Sequence, residues 1–536
     1  MKRTIFFPLA ILAFIQFSLG IALSPPSLAQ EWEVQVKPRG TLKVVDLFIP
    51  SASTMFNYAE GLVTLDKDNN WIPCLAKDWR WIDDRTIEFK LRKDVTFQNG
   101  EEFNAEAVRV NWEAYKKLEC PRAQPFLVFP DETVLETIDE YLVRFTFPEP
   151  DALAFVKFAY FFMAAPSFFA QHEFGENGWG YFKEPGPWGT GPFRLVEGGI
   201  SFARPSDRIV LEAYRNYCDP RYPRVERVIF DNTLIGNRKE AMRLCRETEG
   251  KVDIVSFIRP LDTLKVAESP FAKVVKSKDI TWLGARINQR KRDSKWRDVR
   301  LRTALNYAVN RKELWKYAAK GNAYNLEGFR IPPGAYGHDP SLTPWTYNTT
   351  KARKLLAEAG YADGFQVKVI TFEAWKLEAQ IIKRMLERIG LKVKFDVYTY
   401  PEFQRKFYIP VLDKPPEEQD WDLAIDYNAD LIGHTGATFY AYLTKGTNQR
   451  WNEYDPVLEG LYNKMARTLD PVEQEEKIHE LGKYLSTRVY GLDIYSPLTL
   501  YAVNKEVNFV PQKFIWLRLK ETSVTDNHWS VRGEKK

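Results

Sequence analysis

The residues of this chain whose types and spacing could do chemistry gather at Asp426-Tyr427-Asn428-Ala429-Asp430, directly after the apolar stretch Leu423-Ala424-Ile425. A carboxylate at the end of a buried strand is desolvated. Facing an ammonium, it forms a charge-assisted bond that fixes the orientation of a ligand. The same aspartate could instead cap the next helix. His434, a few residues on, could meet a ligand carboxylate or a chelated metal, or simply face water. Trp375 follows the strand Val367–Phe372, and with Phe372 it is a candidate aromatic wall, core packing being the bland alternative. This is the chemistry of binding, not of turnover.

A search for catalysis finds little. The chain has five histidines, and His172, His338, His479 and His528 stand apart from any acid–cysteine or acid–serine pattern. No G-x-S-x-G, H-E-x-x-H, Walker loop or G-x-G-x-x-G occurs. Carboxylate pairs such as Glu101/Glu102 fall on predicted surface turns. An α/β hydrolase or a glycosidase, whose carboxylates carry no signature, is what this leaves open among enzymes. No catalytic residue, cofactor or resident metal is expected.

The elements that must position these residues alternate between strand and helix periods. Gly40–Val45 opens as a strand, and Thr86–Arg92 places Ile87, Phe89 and Leu91 on one face. Asn104 is a predicted N-cap for a helix carrying Val108, Trp112 and Tyr115. The Gly189-Thr190-Gly191-Pro192 turn is expected to use its glycines for positive φ. It leads into antiparallel strands at Phe193–Val196 and Asp207–Tyr214, a third at Arg224–Phe230, and Val252-Asp253-Ile254 after a helical stretch. Later, Asn348 caps a helix stopped by Gly360, and a helix through Ile381, Met385 and Ile389 ends at Gly390 before an alternating strand. Helix and strand joined by short links argue an α/β domain. The apolar run from Ala154 to Ala170 is short and interrupted by Lys157 and Pro166, so it predicts a buried helix and turn, not a membrane span.

Several of these segments, in order, resemble one family. Tyr58-Ala59-Glu60-Gly61-Leu62, Leu75-Ala76-Lys77-Asp78-Trp79, Leu91–Phe97 and Asn99–Val108 are similar to the long signature of extracytoplasmic solute-binding proteins of ABC importers, family 5, the oligopeptide, dipeptide and nickel class. The glycine turn with its strands, and Arg297–Arg311, continue the resemblance to about Phe509. Asn99, Ala107 and Asn310 replace the family's usual acidic residues. The resemblance implies a type II periplasmic-binding-protein fold, two α/β lobes around a ligand cleft with an extra third lobe. Lobe I would comprise residues 30–66, 187–283 and 505–536, lobe II 67–186, and lobe III 284–504. Hinges would fall near Leu283-Gly284-Ala285 and Tyr501–Asn504. It also implies a receptor that carries a small-molecule or short-peptide ligand to ABC permease transmembrane subunits. Peptide-binding members place an aspartate at the position of Asp426 against the ligand's α-amino group. Asp430 stands where proline is usual, and Leu431–Gly436 appears inserted. Alternatives within the resemblance are a metal chelate or oligosaccharide as cargo, or a periplasmic chaperone or sensor partner.

Composition fits that reading. Lys2 and Arg3 precede an apolar run from Ile5 to Leu23, and Ser27-Leu28-Ala29 is a small-x-small cleavage signature, so residues 1–29 are expected to be a signal peptide and the mature chain periplasmic. An uncleaved anchor is the alternative. No cysteine lies near the junction to carry a lipid. About 507 residues remain, too many for one core. A net charge of +5, about +3 without the leader, makes no case for nucleic acid, and a monomer is expected. Cysteines 74, 120, 218 and 245 allow three full pairings; Cys218–Cys245 is the weak preference, with buried thiols the alternative.

Overall fold

A computed structural model describes residues 35–47, 50–117, 128–172, 182–201, 206–278, 281–324, 331–342, 345–408, 415–429, 434–439, 451–513 and 516–533. The leader, Cys120 and the stretch 430–433 lie outside them.

Three sheets, each over its own apolar core, organise the chain. The first is built on Thr41–Val45, whose Leu42, Val44 and Val45 are fully buried. It pairs in parallel with Arg227–Asp231 on one side and Ile254–Val255 on the other. Antiparallel strands extend both flanks: Arg208–Ala213 and Phe193–Glu197 on one, Thr499–Asn504 and Ala272–Ser277 on the other. The second sheet runs Ala323–Tyr324, Gly491–Pro497, Thr281–Ile287, Leu423–Ala429, Gln366–Phe372, Lys392–Tyr398. Helices Val299–Ala308, Thr349–Glu358 and Lys376–Glu387 supply apolar side chains to its core. The third is a four-stranded antiparallel sheet, Ala76–Trp81, Thr86–Leu91, Leu142–Thr146, Val134–Asp139. Its Phe89 and Phe145 pack edge to face with each other and with Phe158 of the helix Ala154–Tyr160.

The local signals act where expected. Asn104, Asp298 and Asn348 each accept a backbone N–H of the helix they open, satisfying donors the first turn leaves without partners. Gly360 and Gly390 take positive φ just past their helices. Ala154–Tyr160 and Pro166–Gln171 are two separate helices, and buried Lys157 reaches Asp151 at 2.7 Å. Among the described residues no helix is long and apolar enough to cross a membrane.

Three expectations change. The chain leaves the first sheet after Ser277 and enters the second at Thr281, and it returns between Pro497 and Thr499. Both crossings thus come a few residues before Leu283–Ala285 and Tyr501–Asn504. Ladder register accounts for the shift: Ser277 opposite Thr499 and Leu283 opposite Tyr495 hold the flanking residues in their sheets.

Cys218 and Cys245 are unbridged, as is Cys74. Cys218 packs at the edge of the third sheet's core, whereas Cys245 is buried with Met242, Val252 and Val255 in the first lobe. Burial pushes the Cys218 thiol up to about 12, which keeps it from reacting.

The glycine turn, finally, works by close approach and not by positive φ. A Cβ on Gly189 would lie 2.1 Å from the Tyr58 carbonyl oxygen, and one on Gly191 2.6 Å from the Tyr58 carbonyl carbon. Gly191 N–H donates to that oxygen at 2.9 Å. Gln98 then ties the turn to the third-sheet lobe, its amide donating to the Gly191 and Phe193 carbonyls at 3.0 and 2.8 Å. Gly189→Ala is therefore expected to cost about 1–3 kcal/mol or more through backbone displacement. A denaturant midpoint equal to that of the parent would show that the contact yields freely.

Candidate functional site

The two large lobes meet on an aromatic seam. On one side, Ala52, Leu65 and Trp516 form a small buried cluster against which Phe56, Trp71, Tyr160 and Phe257 pack. Trp516 Nε1 donates to the Tyr160 hydroxyl at 2.9 Å and its ring stacks near Phe56. From the second sheet, Tyr427 packs against this same cluster while also packing against its own lobe's core. Phe372 and Trp375 stand beside it, with ring centroids 6.2 and 5.9 Å from the tyrosine. Three of the candidate residues, Phe372, Trp375 and Tyr427, are thus brought together at the interlobe surface. Phe372 is largely core; Trp375 and Tyr427 are half-buried.

Asp426 lies inside the strand Leu423–Ala429, which runs four residues past Ile425, so it is not a helix cap. It is fully buried at 0% exposure. Across the ladder Gly284 stands opposite Asp426 and Arg286 opposite Ala424, so Arg286 is Asp426's diagonal neighbour. Its Nε is 3.6 Å from Asp426 Oδ2, and its guanidinium lies over the rings of Phe407 and Trp451 at 6.0 and 5.6 Å. An aromatic box thus presses a resident cation against the carboxylate. Sequence reading gave no sign of Arg286, because the pair forms only once two strands 140 residues apart are in register.

His434 falls elsewhere. Its Nε2 is 3.3 Å from Gln474 Oε1, its Nδ1 accepts from the Gly436 N–H at 3.1 Å, and its ring meets Tyr336 edge-on. None of these partners belongs to the aromatic seam. Among the described residues no group of three His, Cys, Asp or Glu side chains could hold a metal ion. Loss of water pulls the imidazole down to about 4. Because the folded value lies below the ordinary one near 6.5, the unfolded chain takes the proton first as pH falls. The stability this group contributes is full above about pH 6.5 and is lost progressively toward about pH 4. Denaturant midpoints across that window should fall more steeply for the parent than for His434→Gln; parallel curves would remove the assignment.

Facing Tyr427 from the first lobe are residues the sequence did not single out. Arg238 opens the helix Arg238–Glu247 and donates to the Phe257 carbonyl. Phe257 has φ 52, a left-handed conformation uncommon for a bulky residue. Arg259 pairs with Asp262 at 3.0 Å.

Comparison with known proteins identifies this architecture. Residues 70–450 match the family model for bacterial extracellular solute-binding proteins, family 5, middle part. Among curated proteins, the glutathione-binding protein GsiB of Escherichia coli K12 is 26% identical over 345 residues, and that of Salmonella choleraesuis 27% identical over the same length. Each match spans 63% of this chain and 63% of the relative. Among solved structures, the binding protein AgaA of A. tumefaciens R10 in complex with agropinic acid superposes with a TM-score of 0.74 at 20% identity, covering 91% of this chain and 99% of that one. The periplasmic binding protein DppA of Helicobacter pylori, in complex with the peptide STSA, gives 0.73 at 18% identity, covering 90% and 98%. The fold is the type II periplasmic-binding-protein architecture with an extra lobe. With its family model spanning most of the length, the chain belongs to family 5 of the bacterial extracellular solute-binding proteins.

Proposed function

We propose that this protein is the extracytoplasmic receptor of an ABC importer. It captures a peptide-like or otherwise aminated small solute between its two large lobes and delivers it to permease transmembrane subunits. It does so as a periplasmic monomer released by its signal peptide, without cofactor or turnover. The observation that carries this reading is Tyr427, which packs at once against the second sheet's core and against the small cluster around Trp516. Two lobes joined by two short links and meeting on aromatic side chains can open by bending the links and close around a solute. Asp426 is the proposed anchor for the cargo's ammonium. Arg286 Nε lies 3.6 Å from its Oδ2. Trp375, Tyr427 and Phe372 supply the apolar wall, and His434 stands further off as a candidate contact reached only by a longer cargo.

The test is to purify the protein natively and identify what it retains by mass spectrometry, with glutathione as a first titrant because the curated relatives are named for it. An aminated solute that also tightens the protein in solution scattering is expected. A retained neutral oligosaccharide would overturn the amine reading. Uptake of every candidate solute surviving deletion of the gene would overturn the transport reading.

A further inference from the structure

We infer that the lobe of the third sheet clasps the lobe of the second, by a turn that plugs Leu153 into the other lobe's helical core, and that this clasp favours the closed protein whether or not cargo is bound. This rests on the opening motion proposed above and adds a device that acts without cargo.

The chain leaves the first sheet after Val45 and rejoins it at Phe193, and the third sheet lies between these points. The third sheet's lobe is therefore tied covalently to the first sheet and not to the second, and Gln98 fastens it there through the Gly191 and Phe193 carbonyls. When the links between the first and second sheets bend, it travels with the first. Leu153 breaks this division. It is 3% exposed and packs in a core otherwise drawn, among the described residues, from positions 331–490, chiefly from the helices Pro456–Arg467 and Pro471–Arg488. Beside it, the Ala152 N–H donates to the Ala466 carbonyl at 2.8 Å. That carbonyl lies in the last turn of Pro456–Arg467, where no intrahelical N–H is available, so one lobe caps a helix of the other. Glu149 and Arg467 add an ion pair at 3.7 Å, exposed on both sides and worth little.

The turn holds its shape without the partner lobe. Asp151 Oδ1 accepts the Leu153 N–H at 2.9 Å, the Asp151 carbonyl accepts the Ala154 N–H at 3.2 Å, and buried Lys157 lies 2.7 Å from Asp151 Oδ2. All of these groups belong to the third sheet's lobe, so closing orders little that was not ordered before. Opening, by contrast, must draw Leu153 into water and strip the Ala466 carbonyl of its donor. Burial of one leucine favours closure roughly ten- to a hundredfold. The helix that follows, Ala154–Tyr160, ends at Tyr160, whose hydroxyl accepts the Trp516 N–H in the seam. At about 1.5 Å per residue, its 7 residues put the clasp roughly 10 Å from that seam. The clasp is a second point of closure, joined to the seam by one helix.

Hydrogen exchange and solution scattering test this, with no cargo added. In the parent, the Ala152 amide should exchange through a partial opening, at least roughly tenfold faster than the amides of the strand Thr41–Val45. Leu153→Ala should speed exchange at Ala152 roughly tenfold, whereas Leu153→Met, which refills the plug, should keep the parent's rate. Leu153→Asp sets a charge where water is excluded, so it should enlarge the radius of gyration while leaving the circular dichroism of the parent. If Ala152 in the parent exchanges only as fast as Thr41–Val45, with the same denaturant dependence, the contact parts only on global unfolding and the inference is overturned. Exchange unchanged by Leu153→Ala, or a radius unchanged by Leu153→Asp, would overturn it too. The parent's exchange is decisive by itself, so the result does not hang on any variant's folding. A failed search for cargo leaves the clasp standing, and a failed clasp leaves the receptor reading standing.

Discussion

Asp426→Asn should lower both the affinity and the stability of this protein. The substitution keeps the size of the side chain and removes its charge, leaving Arg286, whose side chain is only 10% exposed, against Phe407 and Trp451 without an anion. Breaking a buried pair from one side typically costs about 3–5 kcal/mol, because the surviving charge stays desolvated. Affinity for an aminated cargo should fall roughly a hundredfold or more, at about 1.4 kcal/mol per decade. These two losses have different causes, and a second variant separates them. Asp426→Asn combined with Arg286→Met removes both charges and refills the aromatic box with an apolar chain, so the melting midpoint should recover most of its fall. Affinity should not recover, because the ammonium still has no carboxylate. Calorimetric titration and a melting curve on both variants decide it. If affinity returns along with stability, Asp426 serves only to neutralise Arg286, and the amine anchor must be sought elsewhere.

How much of this was legible depends on the range over which each cause acts. Ile87, Phe89 and Leu91 declared their buried face through alternation alone, because a strand's side-chain period is a local property. Asn104 and Asn348 declared helix starts for the same reason, a side-chain oxygen three residues from the N–H it accepts. Yet alternation also implies an exposed Glu88, and Glu88 is buried: Arg80 and Arg144 on the two flanking strands close over it. The glycine turn was visible as a motif, but its purpose was not. Whether a glycine serves a positive φ or a close approach depends on what lies against it, here the backbone of Tyr58, 131 residues earlier. Of the seam, Phe372, Trp375 and Tyr427 could be found because each ends or follows a readable strand. Arg238, Phe257 and Arg286 could not, because a left-handed backbone on a phenylalanine and two arginines among many carry no local signal. Asp426 was found, and its partner was not.

Asp253→Asn should be comparably damaging to stability while leaving the cleft's chemistry alone. Asp253 is fully buried, and its carboxylate gathers three distant stretches of chain. Oδ2 accepts from the Lys43 N–H at 2.9 Å; Oδ1 accepts from Asn504 Nδ2 and Trp529 Nε1, each at 2.9 Å, and lies 3.1 Å from His528 Nε2. A carboxylate suits this site because it offers acceptors only. An asparagine must turn an NH2 toward at least one donor, stranding both, and unmet buried polar groups cost about 1–3 kcal/mol each, more where charge is involved. The expected loss is therefore about 3 kcal/mol or more, read as a shift in denaturant midpoint at unchanged slope. Every partner of Asp253 belongs to the first sheet or to the C-terminal segment packed on it, and none to the lobe of the second sheet. Below its melting point the variant should bind cargo nearly as the parent does, the opposite of Asp426→Asn. If affinity instead falls in step with stability, the strand Thr499–Asn504, which Asp253 anchors through Asn504 just after the chain returns from the second sheet, sets the closed geometry as well as the fold.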